Sequence, residues 1–133
     1  MPILNKNKFP ELLREIYDPP EKIYYFGNID IIYKPSISIV GTRKNTEYGE
    51  SLTKKIIQEL SSYDLNIVSG LANGIDTIAH NSAIECGLNT IAVLGSGFKN
   101  IYPKENIVLA RNIAKNNLLI SAFPENETPR KMN

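Results

Sequence analysis

Asn66-Ile67-Val68-Ser69-Gly70-Leu71-Ala72-Asn73-Gly74-Ile75-Asp76, followed by Ala79-His80, is the stretch from which the fold is read. A short apolar run ends at Ser69-Gly70, a turn with a second glycine follows, and Ile75, Ile78, Ala79, Ala83 and Cys86 recur at helical spacing. The pattern predicts a strand, a glycine-rich turn and a helix. In a parallel sheet such a turn sits at the carboxyl edge, where free amides and the positive end of the helix dipole favour an anion. The expected ligand carries phosphate.

Outward from this unit the same grammar repeats. Apolar runs at Ile37–Val40, Ile67–Val68, Thr90–Leu94 and Leu118–Ile120 alternate with stretches of helical period, which gives βαβαβαβ. The first helix carries Tyr48, Leu52, Ile56 and Leu60 four residues apart as its inner stripe, with Lys54, Lys55, Gln58 and Glu59 outward; the third carries Ile107, Ala110, Ile113 and Ala114. The fold class is therefore α/β, a mostly parallel sheet with helices on both faces and right-handed crossovers. The expected division is one domain: a cover segment over 1–35, the parallel core over 36–123 and an exposed tail over 124–133. The cover has a short helix over residues 9–17, with Leu12, Leu13 and Ile16 on one side, and an aromatic extended segment over 22–28.

Composition narrows the function classes. The chain has 133 residues and a formal net charge of +1, so any polyanion site must be a local patch. MPILNKNKFPELL lacks the apolar core of a secretory signal and no run reaches membrane-spanning length, so a cytoplasmic location is expected. Cys86 is the only cysteine and His80 the only histidine, which argues against a disulfide framework and against a metal site, and no cofactor is called for. Cys86 reads as a buried structural thiol.

Three loops gather on one rim, because every parallel strand enters its helix at the same edge. The first is Gly41-Thr42-Arg43-Lys44, where glycine permits close backbone approach, Thr42 offers a hydroxyl and Arg43 a guanidinium fork for phosphate. The second holds Ser69, Gly70, Asn73, Gly74 and Asp76. The third is Gly95-Ser96-Gly97, leading to Ile101-Tyr102-Pro103. If the first core strand lies between the second and third, loops one and three face each other across a switch point. Gly95-Ser96-Gly97 has Asn100 where a dinucleotide fingerprint needs its third glycine, and there is no G-x-x-x-x-G-K-[ST]. Each glycine also has a purely structural reading as a tight-turn residue, Asp76 one as a first-turn dipole partner, and His80 one as a hydrogen-bonded core residue. No catalytic constellation is evident.

With these residues in order, the chain resembles the DprA/Smf family of DNA-processing proteins. The resemblance runs from Phe9-Pro10-Glu11-Leu12-Leu13, Asp18-Pro19-Pro20 and Tyr25-Phe26-Gly27-Asn28 through Ser38–Arg43 with Tyr48-Gly49 and Ser69–Asp76 with Ala79-His80. It continues through Ile91–Gly97 and Ile101–Asn106 to Leu118–Ser121. It implies a Rossmann-like fold of DprA type, a protein that is not an enzyme, single-stranded DNA as partner without sequence preference, and delivery of that strand to the RecA recombinase during DNA uptake. It further implies that Arg43 contacts the DNA backbone, that the glycine-rich turns help form the pocket, and that Lys131 adds a basic contact.

Two departures stand out. Asn73 occupies a position where the family usually has Arg or Lys, which removes a charge from the rim. The chain also stops at Asn133, where the family continues with further strands and a dimer surface, so it reads as a truncated member whose homodimer is left open and whose DNA binding is weakened. Two other classes compete: a small nucleotide-binding or phosphoribohydrolase-like enzyme, with Asp76 as its acid-base candidate, and a folded remnant that serves as an interaction module.

Overall fold

The structure is a computed structural model and describes residues 1–129. Six strands form one sheet: β1 (Ile3–Asn5), β2 (Lys22–Gly27), β3 (Ser36–Ser38), β4 (Asn66–Ser69), β5 (Asn89–Leu94) and β6 (Leu118–Ser121). Their spatial order is β1-β2-β6-β5-β4-β3. β3 to β6 are parallel, and β2 and β1 are added antiparallel beside β6. The helices are α1 (Glu11–Arg14), α2 (Glu47–Leu60), α3 (Ile75–Glu85) and α4 (Ile107–Asn116). This is the α/β fold with a mostly parallel sheet that the periodicity predicts.

The parallel strands step in one direction throughout. A right-handed crossover then places its helix on the same side at every step. Ile57 of α2 accordingly meets Ile67 of β4 together with Ala79 and Ala83 of α3, and Ala110 and Ile113 of α4 meet Ala92, Leu94 and Leu119. The other face presents Ile91, Leu118, Val68 and Ile120 and needs a different cover. Ile29, Ile31 and Ile32 of a 3-10 turn supply it, with Leu13 of α1 packed alongside on Leu4, Phe9 and Ile23. Helices thus lie on both faces, long crossover helices on one and short N-terminal turns on the other.

The strand order corrects the placement of the first core strand. β3 is the outermost strand, not one flanked by β4 and β5. With no reversal of direction there is no switch point among the described strands, and the loop after β4 becomes the middle of the three.

Two helices also differ from their predicted faces. The N-terminal helix is a single turn, of which Leu13 packs inward while Leu12 and Ile16 are exposed. In α2, Thr46 Oγ1 caps the start by accepting from the Gly49 N–H at 3.1 Å. Its buried face is Thr53 and Ile57; Leu60 is half-buried, and Tyr48, Leu52 and Ile56 are exposed. Residues four apart advance about 40° round the helix each time, so a row that faces the core at Leu60 has turned to solvent by Tyr48. β3 is the outermost of the described strands, and none of the described elements covers that row.

Candidate functional site

The second turn is built from the inside. Asp76, in the first turn of α3 and 6% exposed, accepts through Oδ2 from the amides of Gly70 at 3.1 Å and Ala72 at 3.4 Å. The amides expected to receive a ligand anion are therefore filled by the chain's own carboxylate, which corrects the reading of this turn as an open phosphate cradle. Ser69 is likewise internal, its hydroxyl donating to the Ile39 carbonyl at 2.6 Å. The role of Asp76 shown here is to hold the turn shut.

Between those two amides sits Leu71, whose φ of 63° is unusual for a residue with a side chain. Three restraints hold it. Its fully buried side chain packs among Ala92, Leu94, Ala110, Ile113 and Leu119; its N–H donates to His80 Nε2 at 3.3 Å; its carbonyl accepts from Asn106 Nδ2 at 2.8 Å. On the other side of the ring, His80 Nδ1 lies 2.8 Å from Thr90 Oγ1, which donates to the Ile67 carbonyl at 2.8 Å. Nε2 must accept and Thr90 already donates elsewhere, so the proton belongs on Nδ1 and the ring is neutral. Burial pushes the His80 pKa down from 6.5 to about 4.

The first loop rests directly on this turn. Gly74 has φ +80°, and a Cβ there would collide with the Thr42 carbonyl and the Arg43 backbone. Gly41 abuts the Ile75 side chain, where a Cβ would lie 2.8 Å from Cγ1. Thr42 accepts the Ile75 N–H on its carbonyl at 3.1 Å and the Lys44 N–H on Oγ1 at 3.1 Å. These contacts fix the backbone and leave the side chains of Arg43 and Lys44 exposed, with no carboxylate partner among the described residues.

The third loop is also partly consumed. Ser96 is buried, its hydroxyl donating to the Asn100 carbonyl at 2.8 Å and its carbonyl accepting from Ser121 Oγ at 2.6 Å. A Cβ on Gly97 would strike the Pro124 carbonyl, because residues 124–127 lie against this loop. Gly97 N–H donates to Glu127 O and Lys99 N–H to Glu125 O, each at 2.9 Å. The start of the expected free tail is thus tied down. Only Gly95 faces open space.

Of the candidate residues, Gly41, Arg43, the Thr42 hydroxyl, Asn73 and Gly95 are exposed on the rim, whereas Ser69, Gly70, Gly74, Asp76, Ser96 and Gly97 shape it from within. Lys131 lies outside the described residues. Asn73 is held by its Nδ2, which donates to Glu105 Oε2 at 3.1 Å, and this links the middle loop to the segment before α4.

Beside that link lies a hollow of about 380 Å³ that sequence reasoning missed. Its apolar lining is Phe98, Ile101 and Ile107, and its charged groups are Lys99, Lys104 and Arg111, with exposed Tyr102 at the side. Lys99 is paired with Glu125 at 3.3 Å; Lys104 and Arg111 have no ion partner among the described residues. Lys104 and Arg111 fall seven apart, on a 3-10 turn and on α4, so no local motif announces them. A shallower depression between Lys6, Arg14 and Lys22 on the N-terminal segment shares no residue with the rim.

Comparison with known proteins bears on this geometry. The family described as DNA recombination-mediator protein A matches residues 1–133. DNA processing protein DprA of Bacillus subtilis is 39% identical over 132 residues, 98% of this chain and 44% of that protein. Its counterpart in Streptococcus pneumoniae is 42% identical over 123 residues, 92% of this chain and 43% of that protein. The X-ray structure of DprA from Streptococcus pneumoniae superposes with a TM-score of 0.93 at 40% identity, over 98% of this chain and 46% of that one. A structure describing the single-stranded DNA binding mode of DNA processing protein A from Helicobacter pylori gives 0.87 at 31% identity, over 98% and 59%. The chain spans less than half the length of the curated relatives it matches. Matched along its whole length by the family and at these identities by its members, the chain belongs to the DNA recombination-mediator protein A family, the DprA/Smf proteins.

Proposed function

We propose that this chain binds single-stranded DNA along the rim formed by Thr42-Arg43-Lys44, Asn73 and Gly95 and into the hollow carrying Lys104 and Arg111. One observation carries the reading: Arg43 is exposed with no ion partner among the described residues, on a backbone pinned over Gly74, and Asn73 of the adjoining turn is tied through Glu105 to the segment that carries a cationic hollow with an aromatic side. Guanidinium and ammonium groups neutralise phosphates, and the Tyr102 ring offers a stacking surface that any base can use. The loops after β3, β4 and β5 are about 10 Å from first to last, a short track suited to a flexible strand. The affinity comes from side chains, since the turn amides are spent on Asp76. Delivery of the strand to RecA, a part in DNA uptake and a non-catalytic role belong to the same proposal, supported by family membership.

The test is fluorescence anisotropy of a labelled oligonucleotide across a salt series. With about three phosphates neutralised, log affinity falls against log salt with a slope near −2, at about 0.7 per phosphate for single strands. Arg43→Ala weakens binding and flattens the slope by about 0.7. Equal binding by parent and variant, or preference for duplex, refutes the assignment. For the RecA step, recombinase filament formation on bound oligonucleotide is compared with and without the chain; no acceleration refutes it.

A further inference from the structure

Of the fifteen asparagines in the sequence, only Asn73 is followed by glycine. A side chain on the following residue hinders its backbone nitrogen from reaching the asparagine amide. Glycine, with no Cβ, removes that hindrance. Asn73 is also exposed, in the turn between β4 and α3, whereas Asn66, Asn106 and Asn117 are buried. Gly74 is the residue that caps α3, at φ 80° and ψ −128°, and its carbonyl accepts from the Ile78 N–H at 3.1 Å. Its own N–H stands outside the helical ladder, and no hydrogen bond among the described residues engages it. The Asn73 side chain is held by the contact of Nδ2 with Glu105 Oε2 at 3.1 Å, between two exposed groups.

We propose that Asn73-Gly74 is a modification site at which the rim turns spontaneously from neutral to acidic. The Gly74 nitrogen gives its proton to solvent hydroxide and bonds to Asn73 Cγ. The Cγ–Nδ2 bond breaks, and Nδ2 leaves as ammonia with a proton taken from water. Water then opens the five-membered imide at one of its two carbonyls, giving either aspartate at position 73 or isoaspartate, whose backbone path is one methylene longer. Water is the only co-reactant, nothing is oxidised or reduced, and the rate rises with pH because the deprotonated nitrogen attacks. The whole reaction lies within one dipeptide. Both products bear on the site. Each leaves on the turn a carboxylate that cannot donate to Glu105 and repels it, so the tie between the middle turn and the segment before α4 opens. Isoaspartate also lengthens the backbone beside Gly74, which is packed so closely on the Thr42 carbonyl and the Arg43 backbone that not even a Cβ fits. The first loop is then pushed from its seat, and the added charge repels phosphate. The consequence for DNA rests on the single-stranded DNA reading of the rim; the chemistry at Asn73 does not.

The test incubates the 133-residue chain in mildly alkaline heavy-oxygen water and maps its peptides by mass spectrometry over time, with isoaspartate scored by enzymatic methylation. The expected result is uptake of heavy oxygen at position 73 tenfold or more faster than at any other asparagine, and slower at lower pH. Asn73→Gln, whose imide ring is six-membered, abolishes it. The same chain unfolded in urea sets the unrestrained rate. Conversion in the folded chain below a tenth of that rate, or no faster than at the other asparagines, overturns the proposal. The acidic form, separated from the parent by ion exchange and shown by circular dichroism to be folded, binds single-stranded oligonucleotide about threefold to tenfold more weakly, with a flatter salt dependence. If it binds like the parent in an assay where Arg43→Ala weakens binding, the consequence for the site is overturned. If the acidic form and Arg43→Ala both bind like the parent, it is the rim reading that fails.

Discussion

Lowering the pH tests how the Leu71 turn is held. His80 is fully buried and its pKa falls from 6.5 to about 4 because burial disfavours the charged ring. The folded state thus resists a proton that the unfolded chain accepts. Stability is fully present above pH 6.5, is lost progressively as pH falls toward 4, and levels off below that. At about 1.4 kcal/mol for each unit of pH between the two values, the loss reaches about 3 kcal/mol. Structurally, a proton on Nε2 sets two donors, the ring and the Leu71 N–H, against each other. Other carboxylates titrate over the same range, so the assay is urea unfolding of parent and His80→Gln side by side from pH 7.5 to 4. Their common titrations cancel in the difference. The parent's advantage over the variant stays constant from pH 7.5 to 7 and then shrinks by about 3 kcal/mol by pH 4. A difference that remains constant down to pH 4, or that grows, refutes both the neutral tautomer and its role.

Other perturbations follow from the same contacts. Gly74→Ala, at φ +80° and against the Thr42 carbonyl, costs about 2–3 kcal/mol of stability in urea unfolding. It also weakens oligonucleotide binding, because Arg43 rests on that backbone; unchanged stability would disprove the close approach. Asn66→Ala removes buried bonds from Nδ2 to the Ile31 carbonyl at 2.7 Å and to Ser36 Oγ at 3.0 Å, and costs about 2 kcal/mol by the same assay. Its Oδ1 has no hydrogen-bond partner among the described residues, so nothing on that side is lost. Lys104→Ala with Arg111→Ala lowers affinity for single-stranded oligonucleotide and flattens the salt dependence by about 1.4, while thermal unfolding is unaltered. Unchanged anisotropy would detach the hollow from the site.

The core strands, α3 and α4 were legible because each rests on local periodicity. The position of β3 was not. Strand order depends on which edges later segments occupy, and no periodicity in residues 36–40 encodes that. The α2 stripe differs for the same reason, since which side of the helix is covered depends on the strands beneath it, and Leu52 and Ile56 fall outside the row that meets β4 and α3. In the site, Arg43 and the glycine turns were visible as types and spacings. The use of Gly70 and Ala72 amides by Asp76 was not, because the signature of a turn that binds an anion is also that of a turn that has one built in. The hollow beside α4 escaped because Lys104 and Arg111 come from different elements.

The pairing of β2 with β6 joins residues more than 90 positions apart, Gly27 with Leu118 and Tyr24 with Ser121. During translation at about 5–20 residues per second, β2 leaves the ribosome several seconds before its partner β6 is made. β1, β2 and the apolar turn Ile29–Tyr33 must wait as a nascent segment while β4, α3 and β5 close around one another. The β2–β6 ladder thus closes only once β6 has been made.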